Sequence, residues 1–149
     1  MNTSPPLISV VIPSFNYDTY LGDTLNSVLD QSFKDFEIIV VDDGSTDASQ
    51  EIIFDYVKRS SNIKVYFHKN LGLPETLKLG ISKASGEWIA FLEADDIWDP
   101  LCLEKRVKAI KEVDVAFCCN AIFPIVEGSA SDIWFKSYVP RVKRTLLEI

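Results

Sequence analysis

The hydrophobic positions of the chain alternate between short apolar runs and stretches in which apolar residues recur at helical spacing. The apolar runs predict strands at Ile8–Ile12, Phe36–Val41, Ile63–Phe67, Trp88–Leu92 and Val113–Cys119. The stretches between them predict helices over Tyr20–Gln31, after Ser45 or Thr46, over Pro74–Ala84, and after Asp99 and Pro100. Strands that alternate with helices are typical of crossover units, so the pattern predicts an α/β fold with a mainly parallel central sheet.

Several residues set the expected ends of these elements. Pro13 is expected to stop the first strand, because proline cannot donate to a strand ladder. Asp18 or Thr19 is expected to cap the first helix, and Ser45 or Thr46 the second, because their side-chain oxygens can accept bonds from the first free backbone N–H groups.

The length of 149 residues suits one globular domain, and the net charge of −7 limits the partners of the chain. Binding to a phosphate backbone needs clustered Lys and Arg, so nucleic acid is excluded as a partner. The odd number of cysteines, three, indicates a reducing compartment. No apolar run reaches the roughly 18 residues that span a bilayer, so we expect a cytoplasmic protein.

The alternating pattern ends after about Ile125, so we expect a domain over residues 1–125 and a C-terminal loop and tail of uncertain structure over residues 126–149. The tail mixes aromatic and basic residues, which suits either a solvated basic face or a peripheral contact with the inner face of a membrane. Apolar residues near Ile122–Val126 would lie at an uncovered edge of the sheet, and pairing with a second copy to form a homodimer is one way to cover them.

Polar residues follow four of the predicted strands at the point where each strand ends. The four groups are Pro13–Asn16, Asp42–Ser45, Asn70 with Gly72, and Glu93–Asp96. Ligands of an open parallel sheet bind outside the carboxyl ends of its strands, so these groups predict one site.

Glu93, Asp95 and Asp96 place three carboxylates within four residues. Carboxylates this close repel one another unless a cation lies between them, which indicates a divalent metal, Mg²⁺ or Mn²⁺. The chain has neither of the usual glycine-rich phosphate-binding motifs, so a diphosphate would be held through such a metal. An Asp of the Asp42–Ser45 group could accept hydrogen bonds from a nucleobase imide or a ribose hydroxyl. The ligand implied is a nucleoside diphosphate with a further group attached.

Four sequence blocks carry a family resemblance, and they occur in the family's order over about Ile8–Lys108. They read I-S-V-V-I-P-S-F-N, V-V-D-D-G-S-T-D, N-L-G-L and A-S-G-E-W-I-A-F-L-E-A-D-D. The chain resembles the inverting family 2 glycosyltransferases of the GT-A fold. The resemblance implies a GT-A-like, Rossmann-type α/β/α sandwich and a metal-dependent transfer of a sugar from a nucleoside diphosphate to an acceptor hydroxyl.

The resemblance also implies roles for individual residues. Its nucleotide-sugar-binding residues would be Pro13, Phe15, Asn16, Asp42, Asp43, Gly44, Lys78, Glu93 and Asp95, and its metal-binding residues Asp95 and Asp96. Among these, Asp42 and Asp43 would contact the base and ribose. Glu93 replaces the usual first Asp of the family's D-x-D motif, and Leu77-Lys78 stands where the family often has Arg-Asn.

Most of these positions also have a purely structural interpretation. Asp42 or Ser45 would cap a helix, Asn16 would be a turn residue, Lys78 would be solvated, and Asp95 and Asp96 would cap a helix or lie in a solvated loop.

The family's catalytic base commonly lies in a Glu-Asp pair far downstream of the acidic motif, and no such pair follows here, so the base is unassigned. The donor expected from the resemblance is a UDP-sugar, and the acceptor a carbohydrate or glycolipid in polysaccharide or glycoconjugate biosynthesis. The alternative is a non-catalytic nucleotide-sugar-binding or regulatory domain that lacks the acceptor half.

Overall fold

A computed structural model describes residues 4–112 of the chain, which form a parallel sheet with helices between its strands. The elements in chain order are β1 (Ile8–Ser14), α1 (Leu21–Leu29), β2 (Phe36–Asp42), α2 (Ser49–Arg59), β3 (Ile63–Phe67), α3 (Leu73–Lys83), β4 (Trp88–Phe91) and α4 (Cys102–Glu112). The sheet and α1–α3 belong to the first of two compact units, Met1–Glu104; of the second, Lys105–Ile149, the described residues continue α4. The predicted strand Val113–Cys119 and the tail lie outside the described residues.

The strand order is β3-β2-β1-β4, and every neighbouring pair is parallel. The chain moves outward from β1 to β3 and then crosses to the other side of β1 to form β4. Right-handed crossovers therefore place α1 and α2 on one face and α3 on the other. This confirms the predicted α/β/α architecture with a mainly parallel sheet.

The two central strands, β1 and β2, are buried along their whole length. Continuous burial is expected where helices cover both faces of a parallel sheet. On the α3 face, Val11, Ile39 and Val41 form a fully buried cluster with Leu79 packed against it. Helix α3 approaches so closely at Gly80 that a Cβ there would overlap the side chain of Val11.

The prediction that Pro13 stops β1 was wrong, because the strand continues to Ser14 with Pro13 opposite Val41. Alternate residues of a central strand bond to opposite neighbours: the carbonyl of Val11 accepts from Leu92, and that of Ser14 accepts from Asp43. The missing N–H of Pro13 therefore faces the β4 side, beyond the end of β4, where no ladder bond is lost.

The predicted side-chain caps of α1 and α2 were also wrong, since neither helix has a side-chain cap. At α1 the carbonyl of Tyr17 accepts bonds from the amides of Tyr20 and Leu21. Helix α2 begins only at Ser49, whose amide donates to Asp47. Of the residues expected to cap these helices, Asp18, Ser45 and Thr46 are instead bonded between loops, and the hydroxyl of Thr19 donates to the neighbouring Asp18.

Candidate functional site

The site predicted from the sequence lies where the strand order reverses. We call the segments that leave the carboxyl ends of the strands the β1 loop (residues 15–20), the β2 loop (43–48), the β3 loop (68–72) and the acidic loop (92–101). The connection that leaves β1 runs toward β2, whereas the connection that leaves β3 runs back past β1 to β4. In open parallel sheets, a crevice forms at such a point, which here lies between the carboxyl ends of β1 and β4. The β1 loop and the acidic loop border this crevice.

The β1 and β2 loops are joined by hydrogen bonds centred on Asn16. Its amide donates to Oγ of Ser45 (2.9 Å), and its Oδ1 accepts from the amide of Thr46 (2.8 Å). Asn16 has φ +59°, a left-handed conformation that Asn tolerates better than most residues. Phe15, directly before it, is 41% exposed. The two loops therefore form one bonded unit with an exposed aromatic ring at its edge.

Asp42 ends β2 as a fully buried carboxylate that is only half satisfied. Its Oδ1 accepts from the amide of Ser45 (3.0 Å) and from Nε2 of Gln50 (2.9 Å), whereas its Oδ2 has no partner in the structure. Oγ of Ser14, its register partner on β1, is likewise buried and unpartnered. Buried polar atoms are nearly always bonded, so two atoms at adjacent strand ends without a partner among residues 4–112 are an unusual feature of this edge of the sheet.

Asp43 is engaged with the β3 loop. Its two carboxylate oxygens accept from the amides of Leu71 (2.7 Å) and Gly72 (2.9 Å), and Nε2 of His68 lies 3.5 Å from Oδ1. Gly44 follows with φ +77°, and a Cβ there would lie 2.8 Å from the amide nitrogen of Asn70. The β2 and β3 loops are thus packed backbone to backbone, which only glycine permits at this position.

The acidic loop exposes the carboxylates of Glu93, Asp95 and Asp96. Partial burial, followed by the charges of Asp95 and Asp96, raises the pKa of Glu93 above its usual value. The pKa of Tyr17 is also raised, first by Asp95, then by burial and by the other two carboxylates. Both shifts indicate that the three carboxylates and the Tyr17 phenol lie close together. Among residues 4–112, none of the three carboxylates forms an ion pair with a cation.

These residues suit a divalent metal that keeps part of its coordination shell for a ligand. Within residues 4–112, no three acidic, His or Cys side chains converge on a common point as a complete protein site would require. Mg²⁺ is commonly bound through one or two carboxylates, with phosphate oxygens and water as its other ligands. Exposed, mutually repelling carboxylates such as Asp95 and Asp96 fit that arrangement.

Two further predicted positions lie within strands or helices and not in the four loops. Pro13 is buried within β1, and the Lys78 amine pairs with Glu75 (2.6 Å) on the exposed surface of α3. Sequence reasoning missed Tyr17 as a neighbour of the acidic loop. Its adjacency to the P-S-F-N block was the available signal.

Sequence reasoning also assigned no site role to the polar residues on the buried side of α1. They are Thr24 and Ser27, with Gln31 two residues beyond the end of the helix, and all three bond to the acidic loop. Their signal was a polar spacing of three and four residues beside the apolar positions Leu21, Leu25 and Val28.

The fold and the crevice define a class, the GT-A glycosyltransferases. The family model "Glycosyl transferase family 2" matches residues 9–147, and the chain belongs to that family. It is 42% identical over 127 residues to an uncharacterized glycosyltransferase of Nostoc sp. and 40% identical over 118 residues to the putative teichuronic acid biosynthesis glycosyltransferase TuaG of Bacillus subtilis. These matches cover 85% and 78% of this chain but only 39% and 47% of the relatives, so the chain spans less than half of their length.

Two solved structures share the fold and contain ligands. S. aureus TarS 1-349 in complex with UDP-GlcNAc is 33% identical with a TM-score of 0.66, covering 70% of this chain and 31% of that one. GalNAc-T7 with UDP, GalNAc and Mn²⁺ is 28% identical with a TM-score of 0.55, covering 61% of this chain and 18% of that one. TarS thus binds UDP-GlcNAc, and GalNAc-T7 binds UDP and GalNAc with Mn²⁺.

The described part of the chain contains no helix that is long and apolar enough to cross a membrane.

Proposed function

We propose that the chain is the donor-binding part of an inverting, metal-dependent glycosyltransferase that takes its sugar from a UDP-sugar. The observation that carries this proposal is the uncompensated group of Glu93, Asp95 and Asp96, which lies beside Tyr17 at the switch point of the sheet. Exposed carboxylates that lie close together, with no cation paired to them among residues 4–112, favour a positive ligand. The UDP-GlcNAc bound by TarS supports the choice of donor.

The nucleoside would occupy the unit formed by the β1 and β2 loops. Pro13, Phe15 and Asn16 line its pocket, and the exposed ring of Phe15 offers a face on which a base can stack. Oδ2 of Asp42 has no hydrogen-bond partner within residues 4–112 and would accept a bond from the base or ribose.

The β3 loop would complete the nucleoside side of the pocket. Asp43 holds this loop and contacts the base or ribose through its remaining lone pairs, while Gly44 keeps the two loop backbones in contact.

The diphosphate would bind on the acidic side of the crevice. Asp95 and Asp96 would hold Mn²⁺ or Mg²⁺, and the longer side chain of Glu93 would reach the ribose. The metal supplies charge stabilisation for the departing diphosphate when it is bound. Lys78 would contribute a further positive charge by leaving its surface pairing with Glu75, which costs little because exposed pairs are weak.

The acceptor we propose is a hydroxyl of a carbohydrate or glycolipid in the synthesis of a polysaccharide or glycoconjugate, in keeping with the name of TuaG. A glycolipid acceptor would bring the protein to the inner face of the membrane. We assign no residue of this chain as the catalytic base.

Calorimetric titration of the chain with UDP and UDP-GlcNAc, with and without Mn²⁺, tests the donor site. We expect binding that tightens with Mn²⁺, and we expect the variant carrying Asp95→Asn and Asp96→Asn to lose that tightening. Asp55→Asn is the matched control, because Asp55 is an exposed acid on α2 paired only with Lys58. The absence of heat with every nucleotide, in the presence of metal, would reject the proposal.

A second measurement separates an enzyme from the alternative, a domain that binds the donor without using it. The chain would be incubated with UDP-GlcNAc and Mn²⁺, and release of UDP followed over time. Release above that of the Asp95→Asn, Asp96→Asn variant supports transfer or hydrolysis. Binding without release supports the non-catalytic domain.

A further inference from the structure

We propose that Thr24 and Ser27 of α1, with Gln31 two residues beyond the end of that helix, are positioning residues that fix the path of the acidic loop and so align its carboxylates with the β1 loop. The positioning stands on the contacts below, and its consequence for nucleotide binding rests on the proposed function. None of the three residues needs to touch the ligand.

Each of the three side chains bonds to the backbone of the acidic loop or its exit. Oγ1 of Thr24 donates to the carbonyl of Ala94 (2.8 Å), and Oγ of Ser27 accepts from the amide of Trp98 (3.2 Å). Nε2 of Gln31 donates to the carbonyl of Asp99 (2.7 Å). The loop is thus held once near its beginning and twice near its end, and because the bonds go to its backbone they fix its path whatever its side chains are.

These contacts are placed where water cannot replace them easily. Thr24 is 1% exposed and Gln31 is fully buried, and Oε1 of Gln31 also accepts from the amide of Leu103 (2.8 Å). A polar group in such surroundings costs free energy unless it is bonded. If the loop moved away from α1, Nε2 of Gln31 would lose its bond to the carbonyl of Asp99 and keep only its bond to the carbonyl of Ser27, so the two elements are energetically coupled.

The first of these bonds acts at the centre of the carboxylate group. Ala94, which accepts from Thr24, is fully buried and lies between Glu93 and Asp95 in the chain. The same helix begins from the β1 loop, where the carbonyl of Tyr17 accepts its first backbone bonds. Helix α1 therefore connects the two sides of the crevice directly.

Hydrogen exchange measured by mass spectrometry or NMR on the unliganded chain tests the positioning. Thr24→Val keeps the shape of the side chain and removes the hydroxyl. We expect exchange at the amides of Asp96 and Trp98 to rise about fivefold, the factor that one hydrogen bond of typical strength provides, although neither amide bonds to Thr24. Thr24→Ser, which restores the hydroxyl, should return exchange to the original rate.

Thr76→Val is the matched control. Thr76 is equally buried, on α3, and its hydroxyl bonds to the carbonyl of Gly72 and not to the acidic loop. It should leave exchange in the acidic loop unchanged. Ser27→Ala is the second test variant, because its milder change keeps the chain folded if Thr24→Val does not. The proposal is overturned if exchange in the acidic loop is unchanged in Ser27→Ala and, provided that it folds, in Thr24→Val.

The nucleotide readout is the ratio of the UDP dissociation constants without and with Mn²⁺. Thr24→Val should lower this ratio severalfold and leave the affinity without metal unchanged, and Thr24→Ser should restore it. Faster exchange with an unaltered ratio would overturn the role in metal-dependent binding. Faster exchange in a chain that binds no nucleotide would reject the proposed function and leave the positioning by α1 standing.

Discussion

Two ends of the same sheet hold carboxylates in opposite circumstances. At the amino end, Glu37 of β2 is buried, and its oxygens accept bonds from Lys64 (2.7 Å), Ser9 (2.6 Å) and both the amide and hydroxyl of Ser85 (2.7 Å each). At the carboxyl end, Glu93 shares the acidic loop with further carboxylates and is paired with no cation among the described residues.

The pKa shifts follow this difference in neighbours. Burial alone would raise the pKa of Glu37, but the bonds from Lys64, Ser9 and Ser85 together outweigh it and lower the pKa to about 2. Burial and like charges raise the pKa of Glu93 with nothing to oppose them. A carboxylate that the fold has fully satisfied stabilises the fold, whereas one left unsatisfied is available for a ligand.

Glu37→Gln should have the largest effect of the substitutions that test this comparison. It removes the charged partner of Lys64, and a hydrogen bond to a charged group contributes about 2 kcal/mol. We expect the free energy of unfolding in urea at pH 7 to fall by about that amount. Glu51→Gln, on the exposed surface of α2, should change it by less than about 0.5 kcal/mol. Equal effects of the two variants would contradict a structural role for Glu37.

Acid should remove the same contribution in the unaltered chain. The pKa of Glu37 is lowered by folding, so its stabilisation is complete above the unfolded value near 4.5 and is lost as the pH falls toward 2. The gap in urea midpoint between the chain and its Glu37→Gln variant should stay constant above about pH 5 and narrow as the pH falls from there to about 2.5. A gap independent of pH would show that the lost stability is not that of the charged form.

Divalent metal should stabilise the other end of the sheet by an intermediate amount. A ligand that binds only the folded state at ten times its dissociation constant adds about 1.4 kcal/mol. We expect Mn²⁺ to raise the melting temperature of the chain and of Asp55→Asn. The double variant Asp95→Asn, Asp96→Asn should show no rise. Equal rises in all three proteins would place the metal elsewhere.

Glu93→Gln should have the smallest effect and the opposite sign to Glu37→Gln. Because folding raises the pKa of Glu93, its charged form disfavours the fold, and this penalty grows as the pH rises through the folded pKa. Without metal at pH 7, the variant should be more stable by up to about 0.5 kcal/mol, since solvent screens an exposed carboxylate. The gain in urea midpoint should vanish below pH 4. A loss of stability at pH 7 would remove the contrast between the two ends.

The sequence predicted those features that depend on local patterns. Apolar runs located β1–β4 to within two residues, and the strand-end groups led by Asp42 and Glu93 pointed to one edge of a parallel sheet. The family could be predicted from the same segments, because its motifs consist of consecutive residues that can be recognised without knowing the fold.

Features built from distant residues could not be predicted. Glu37 is satisfied by Lys64, 27 residues away, and by Ser85, 48 residues away. Ser45 looked like a helix cap and instead accepts a bond from Asn16 across 29 residues. Each of these polar side chains could bond to several partners, some of them near it in the sequence. Only the packing of the sheet decides which partner it takes.

The strand order also sets when the site can exist during folding. Strands β1, β2 and β3 pair with neighbours that are close along the chain, but β4 must return to β1 across 80 residues, from Ile8 to Trp88. Closing so long a loop costs entropy before its contacts repay it, so this pairing is expected late. Until then the β1 loop is in place, but the acidic loop on the other side of the crevice is not. A folding intermediate with the first three strands in place would hold a nucleoside platform without its acidic half, and metal-dependent nucleotide binding would report the last step of folding.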